Sequence, residues 1–97
     1  MTSVAFTPAA VGDLDGIWDY TVDRWGERRA IDYTLAIRAA CRRLALGEMH
    51  GRSVGASHGL LRYVVASHVV FYRPGPGGIE VIRILHVRQD PDTQLGE

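Results

Sequence analysis

The sequence predicts an α+β fold, an N-terminal antiparallel helix hairpin packed on a small antiparallel β-meander, and three observations predict it. From Leu60 to Arg88, branched and aromatic residues fill three runs, interrupted at Ala66-Ser67 and at the Pro74 to Gly78 cluster. Those interruptions fall where a chain has to turn, so the runs read as three consecutive strands. Ahead of them, two stretches carry apolar residues at three- and four-residue spacing, the pattern of amphipathic helices. Only Gly26 separates these stretches, which leaves so little connecting chain that the helices must fold back on one another.

In chain order, Val4 to Phe6 alternates apolar positions and is available as an added edge strand. Thr7 is placed to cap a helix with Pro8 at its first position, where a missing N–H costs nothing. Asp13 and Asp15 are expected near the positive end of its dipole. Val11, Leu14, Trp18, Val22 and Trp25 form its expected buried stripe, with the aspartates largely on the other face. A second helix is expected from about Glu27 to about Leu46 and stops at Gly47, burying Ala30, Tyr33, Ile37, Ala40, Cys41 and Leu44. Tyr20, Trp25 and Leu35 are not all expected to fit inside, which leaves some apolar surface for a partner. Glu48 to Gly59 has no periodicity and reads as a connector. In the meander, Leu61, Tyr63 and Val65 alternate with Arg62 and Val64, Val69 and Phe71 with His68, Val70 and Tyr72, and Ile82 and Ile84 with Val81, Arg83 and Leu85. Both sheet faces are therefore partly apolar, and two helices cover only one of them. From about residue 91 the pattern dissolves into a polar tail.

The 97 residues suffice for one domain spanning 1–97. An apolar fraction of 46% with 23% charged residues excludes a disordered chain. No apolar run approaches the roughly 20 residues of a membrane span, and Met1 to Phe6 lacks the basic-then-apolar pattern of a leader, so the expected location is the cytoplasm. Net charge is zero but unevenly distributed. Residues 1–37 hold six acids and three arginines, whereas residues 38–88 hold eight arginines against Glu48 and Glu80. All eleven cations are arginine, and a basic half built of guanidinium forks suits an acidic partner, whether carboxylate or phosphate.

The Pro-Gly-Pro-Gly-Gly run lacks the spacing, the lysine and the following helix of a phosphate cradle and reads as a hairpin turn. His50, His58, His68 and His86 lie at no metal-ligand spacing, and Cys41 sits on a helix stripe, so neither a metal nor another cofactor is expected. Ser57 and Ser67 lack a nucleophile elbow. Arg83, His86, Arg88 and Asp90 are the candidate group, because the last strand carries them to one end of the sheet. A histidine among arginines is the minimum apparatus of a metal-independent ribonuclease, with His86 as acid or base and arginines holding phosphate.

Several segments carry a family resemblance. Asp-Leu-x-x-Ile-Trp-x-Tyr at Asp13 to Tyr20, Gly51-Arg52-Ser53-Val54, Gly59 to Tyr63, Val69 to Arg73, and Gly78 to Asp90 with its Arg-x-Leu-His-x-x-x-Asp ending resemble the ParE branch of the RelE/ParE superfamily of bacterial toxins. That resemblance implies the toxin of a type II toxin-antitoxin pair, neutralised by a ParD-like antitoxin and inhibiting DNA gyrase without a catalytic site. It implies a hetero-oligomeric complex that meets operator DNA only through the antitoxin. Target contact is then expected at Arg83, His86, Arg88 and Asp90, and antitoxin contact at Tyr20, Trp25, Leu35, Arg62, Val69, Phe71 and Arg73. The alternative is a RelE-like, ribosome-dependent messenger ribonuclease using Arg62, Arg83 and His86. Against it stand the absence of lysine and of any tyrosine after Tyr72. A further alternative is an antitoxin-binding domain without toxicity.

Overall fold

The computed structural model describes residues 2–55 and 59–89, so Asp90 and the polar tail lie outside the described residues. Strand β1 (Ser3–Phe6) leads into helix α1 (Pro8–Trp25) and helix α2 (Glu27–Ala45). Strands β2 (Arg52–Ser53), β3 (Leu61–Val65), β4 (His68–Gly75) and β5 (Gly78–His86) follow. The sheet order is β1-β5-β4-β3-β2. The expected meander is its centre, with β3, β4 and β5 antiparallel, but β1 joins parallel to β5 and makes the sheet mixed. Strand β2, two residues within the expected connector, pairs antiparallel with β3. No helix among the described residues is long and apolar enough to cross a membrane.

Thr7 Oγ1 accepts the Ala10 N–H at 3.1 Å, and Pro8 opens α1. Gly26, with φ 90°, ends α1 through a bond to the Val22 carbonyl and begins α2 directly. A side chain would be strained at that φ, so the tight helix elbow depends on glycine. The expected α2 stripe is the observed one: Ala30, Ile37, Ala40, Cys41 and Leu44 are buried and Tyr33 packs against the core. The α1 stripe is rotated from the expected phase. Ala10, Leu14, Ile17 and Thr21 face inward, Trp18 and Val22 are half-buried, and Val11 and Trp25 are exposed.

This rotation follows from where α1 sits. Strand β1 covers β5 only from Gly78 to Val81. Beyond that point the start of α1 takes over as the edge partner. Thr7 donates its N–H to the Val81 carbonyl at 3.0 Å and its hydroxyl to the Ile82 carbonyl at 2.7 Å. Asp13 accepts the Ile84 N–H at 2.8 Å. Asp13 therefore turns toward the sheet, contrary to the outward face expected for it. No acid lies in the first turn of α1.

A register shift in the β4–β5 pairing leaves Ile82 without a partner between the pairs Tyr72–Val81 and Phe71–Arg83. The extra residue breaks the expected alternation of β5, as a bulge does. Val81 and Ile84 join the core beneath the helices with Ile37, Cys41, Val70 and Tyr72, whereas Ile82 and Leu85 face the other way. That outer face has its own small core of Leu60, Val69, Phe71 and Leu85, flanked by Val54 and Ile82. Val54 and Leu60 thus help to cover the face that the two helices leave open. Each such side chain taken fully from water contributes about 1.5–3 kcal/mol.

Candidate functional site

The end of β5 collects the chemistry. Asp13 accepts from Arg83 Nε at 2.7 Å and from Arg83 Nη2 at 2.8 Å as well as from the Ile84 N–H, so one carboxylate ties guanidinium and strand edge together. The two side chains are only 22% and 14% exposed. The hydrogen bonds to Asp13 raise the pKa of Arg83 further, leaving it a permanent cation. Arg83, expected as a target contact, is engaged by Asp13 at the α1–β5 junction.

His86 stands directly opposite His68 on β4, with ring centroids 5.3 Å apart and planes at 83°. Its N–H donates to Gln89 Oε1 at 2.7 Å, and its Nδ1 accepts the Arg88 N–H at 3.1 Å, so the turn that follows β5 holds the ring. On the other side of His68, Tyr33 of α2 lies edge-on at 5.5 Å, and its hydroxyl contacts His68 Nδ1 at 2.7 Å. Burial, chiefly, with His86 adding to it and Asp13 opposing it, holds the His68 pKa below its ordinary 6.5. His68, Tyr33 and Asp13 were not expected here. His68 is findable once the β4–β5 register is known, because a residue opposite His86 shares its face.

Two shallow grooves meet at this pair. One, of about 460 Å³, runs along Gly12, Gly16 and Tyr20 of α1 to His68, Ile84 and His86. The other, of about 320 Å³, passes Tyr20, Trp25, Arg29 and Tyr33 to the same histidines. Tyr20 and Trp25 are 59% and 61% exposed, each with an arginine guanidinium about 5.3 or 5.4 Å from its ring centre. Leu35 is equally open but lies in a separate groove with Val4, Phe6, Arg38 and Arg42. Val69 and Phe71 are corrected: each is 2% exposed in the outer-face core, which Leu60 and Val54 help to close. Arg62 and Arg73 are exposed, and Arg88 is exposed beside the candidate group.

The ribonuclease set is not assembled. Arg62 pairs with Phe71 and shares its outer face, whereas His86 pairs with His68 on the helix side, and Arg83 is held by Asp13. Burial pushes the Cys41 thiol up to about 11, which leaves it un-ionised near neutral pH. Among the described residues, no group of three or more histidine, cysteine, aspartate or glutamate side chains is placed to hold a metal ion.

Comparison with known proteins gives one family. The sequence profile of the family described as "ParE toxin of type II toxin-antitoxin system, parDE" matches residues 4–91. The chain is 40% identical over 91 residues to Toxin ParE1 of Mycobacterium tuberculosis, covering 92% of this chain and 93% of that one. It is 38% identical over 88 residues to Toxin ParE1 of Caulobacter vibrioides, covering 90% and 91%. A solved structure described as "Chromosomal ParDE TA system from P. aeruginosa" has the same fold, with a TM-score of 0.76 at 24% identity over 91% of this chain and 98% of that one. The helix hairpin on a mixed sheet, the β5 ending and a profile match over nearly the whole length lead to one conclusion: the chain is a member of the ParE toxin family of type II toxin-antitoxin systems.

Proposed function

We propose that this protein arrests growth in the cytoplasm by binding and inhibiting DNA gyrase, and that a ParD-like antitoxin neutralises it. The observation that carries this reading is the family match over residues 4–91. The relatives extend that match across nine-tenths of the chain. Placement of side chains favours action by protein contact over hydrolysis. Arg62 and His86 lie on opposite faces of the sheet, so no phosphate could be held by one and attacked with help from the other. His86 and Arg88 remain at the open end of β5 as target contacts, with Asp90 following them in sequence. Tyr20 and Trp25, large and exposed on the helix elbow, suit the apolar face of an amphipathic antitoxin segment.

The test is a supercoiling assay with purified gyrase and the full chain in molar excess. Inhibition that is relieved by the cognate antitoxin is expected. Unchanged supercoiling alongside growth arrest on expression would remove gyrase as the target, and transcript cleavage lost on His86→Ala would restore the ribonuclease reading.

A further inference from the structure

We propose that His68, set between Tyr33 and His86, is an acid-sensitive latch that holds the β3–β4 turn against α2, and that proton uptake by His68 releases the turn and opens the grooves beside it. The turn is strained and needs holding. Ala66 has φ 53°, a left-handed conformation that a residue with a Cβ adopts only under constraint. The Val65–His68 pair closes this two-residue turn, and two bonds at Ser67 tie it to its surroundings: the Ser67 N–H donates to the Tyr33 hydroxyl at 3.1 Å, and the Ser67 carbonyl accepts the Val87 N–H at 2.9 Å. The first of these ends in the histidine pair.

The direction of the hydrogen bonds makes the arrangement protonation-dependent. Tyr33 Oη accepts from Ser67 and lies 2.7 Å from His68 Nδ1; the closed latch has the tyrosine hydrogen donated to that nitrogen, with the proton of neutral His68 on Nε2. His86 Nδ1 accepts from the Arg88 N–H and is likewise an acceptor. In the closed latch both Nδ1 atoms accept. A proton on His68 Nδ1 turns acceptor into donor, displaces the tyrosine hydrogen and sets a charge 5.3 Å from a second titratable ring. The charged and titratable groups facing His68 are Asp13 and Tyr20 from α1, Arg29 and Tyr33 from α2, and His86 from β5. The one carboxylate among them is already shared between Arg83 and the Ile84 N–H, and it does not outweigh burial.

The sign follows from linkage. A histidine whose folded pKa lies below its ordinary 6.5 contributes stability that is complete above that value and is lost as pH falls through the lowered one. The latch is therefore closed at neutral pH and opens in mild acid. Its release frees a wall common to both grooves, because each is lined by His68 and His86.

The experiment measures amide protection at Ser67 and Val87 in the full chain between pH 7.5 and 5, with imidazole resonances followed in parallel. A severalfold loss of protection at these two amides is expected, at pH values where the amides of Ile37 and Cys41 keep theirs. In His68→Gln the loss should vanish. Should that variant fold poorly, His86→Gln serves instead: the His68 titration should move to higher pH once its neighbour cannot charge. Acid loss undiminished in His68→Gln, or a His68 titration unmoved in His86→Gln, would overturn the latch.

Discussion

The two edges of the sheet hold arginines in opposite ways. At the β5 edge, Arg83 is clasped by Asp13, and the backbone groups left beyond β1 are met by Thr7 and the same carboxylate. At the β2–β3 edge, Arg52 and Arg62 stand directly opposite each other in register, and neither side chain has an ion-pair or hydrogen-bond partner among the described residues. Like charges facing each other across strands cost stability, so the fold gains nothing from that second pair. The difference separates positive charge that the fold uses from positive charge that it does not. Arg83, the position that the sequence singles out most readily, belongs to the first kind.

The comparison breaks most visibly at Asp13. Asp13→Ala removes the acceptor of three hydrogen bonds, two from the partly buried Arg83 guanidinium and one from the Ile84 N–H. The expected loss is about 3 kcal/mol, the low end for breaking a buried pair because Arg83 keeps some contact with water. Urea denaturation at neutral pH measures it. Asp13→Asn, which retains an acceptor for the Ile84 N–H, should lose less. A loss within about 0.5 kcal/mol of wild type, the range of ordinary surface changes, would mean that the edge is held by something else.

At the other edge the corresponding weak point is backbone, not charge. Gly51 N–H donates to the buried Tyr72 hydroxyl at 2.8 Å, and a methyl at position 51 would lie 2.6 Å from both that oxygen and the Arg62 carbonyl. Gly51→Ala must therefore push β2 away from β3 or displace Tyr72 from the core. Overpacking of this kind costs about 1–3 kcal/mol. Denaturation gives the loss, and hydrogen exchange at Ser53 and Val54 shows whether β2 has detached. Unchanged protection there, with stability intact, would show that this edge does not depend on the close approach.

The legible parts of the molecule are those written in nearby residues. Thr7-Pro8, Gly26, the α2 stripe and the β4–β5 turn are local signals and stand where expected. The hidden parts depend on residues far apart in sequence. Hydropathy alone favours Trp18 and Trp25 for the α1 stripe, but the edge of β5 selects the small face of Ala10, Leu14, Ile17 and Thr21 and draws Asp13 inward across 71 positions. The unpaired Ile82 reverses the facing of half a strand without altering its composition. For the candidate site, Arg83 and His86 were visible as types at a strand end, whereas Tyr33 and His68 become neighbours only through helix docking and strand register.

The smallest effect separates the two kinds of arginine by sign. Arg62 faces Arg52, so Arg62→Glu exchanges a like-charge pair for an opposite one and should raise stability by about 0.2–1 kcal/mol. Arg73 faces Glu80, so Arg73→Glu makes the reverse exchange and should lower stability by a similar amount, about 0.2–1 kcal/mol. Both residues are exposed, so the changes report on cross-strand charge rather than on packing. The two denaturation midpoints moving in the same direction would sink the assignment of Arg62 as charge held for a partner. If they move apart as expected, titration with the antitoxin completes the argument: Arg62→Glu should bind it more weakly while being the more stable protein, and a loss of affinity with a gain of stability cannot come from unfolding.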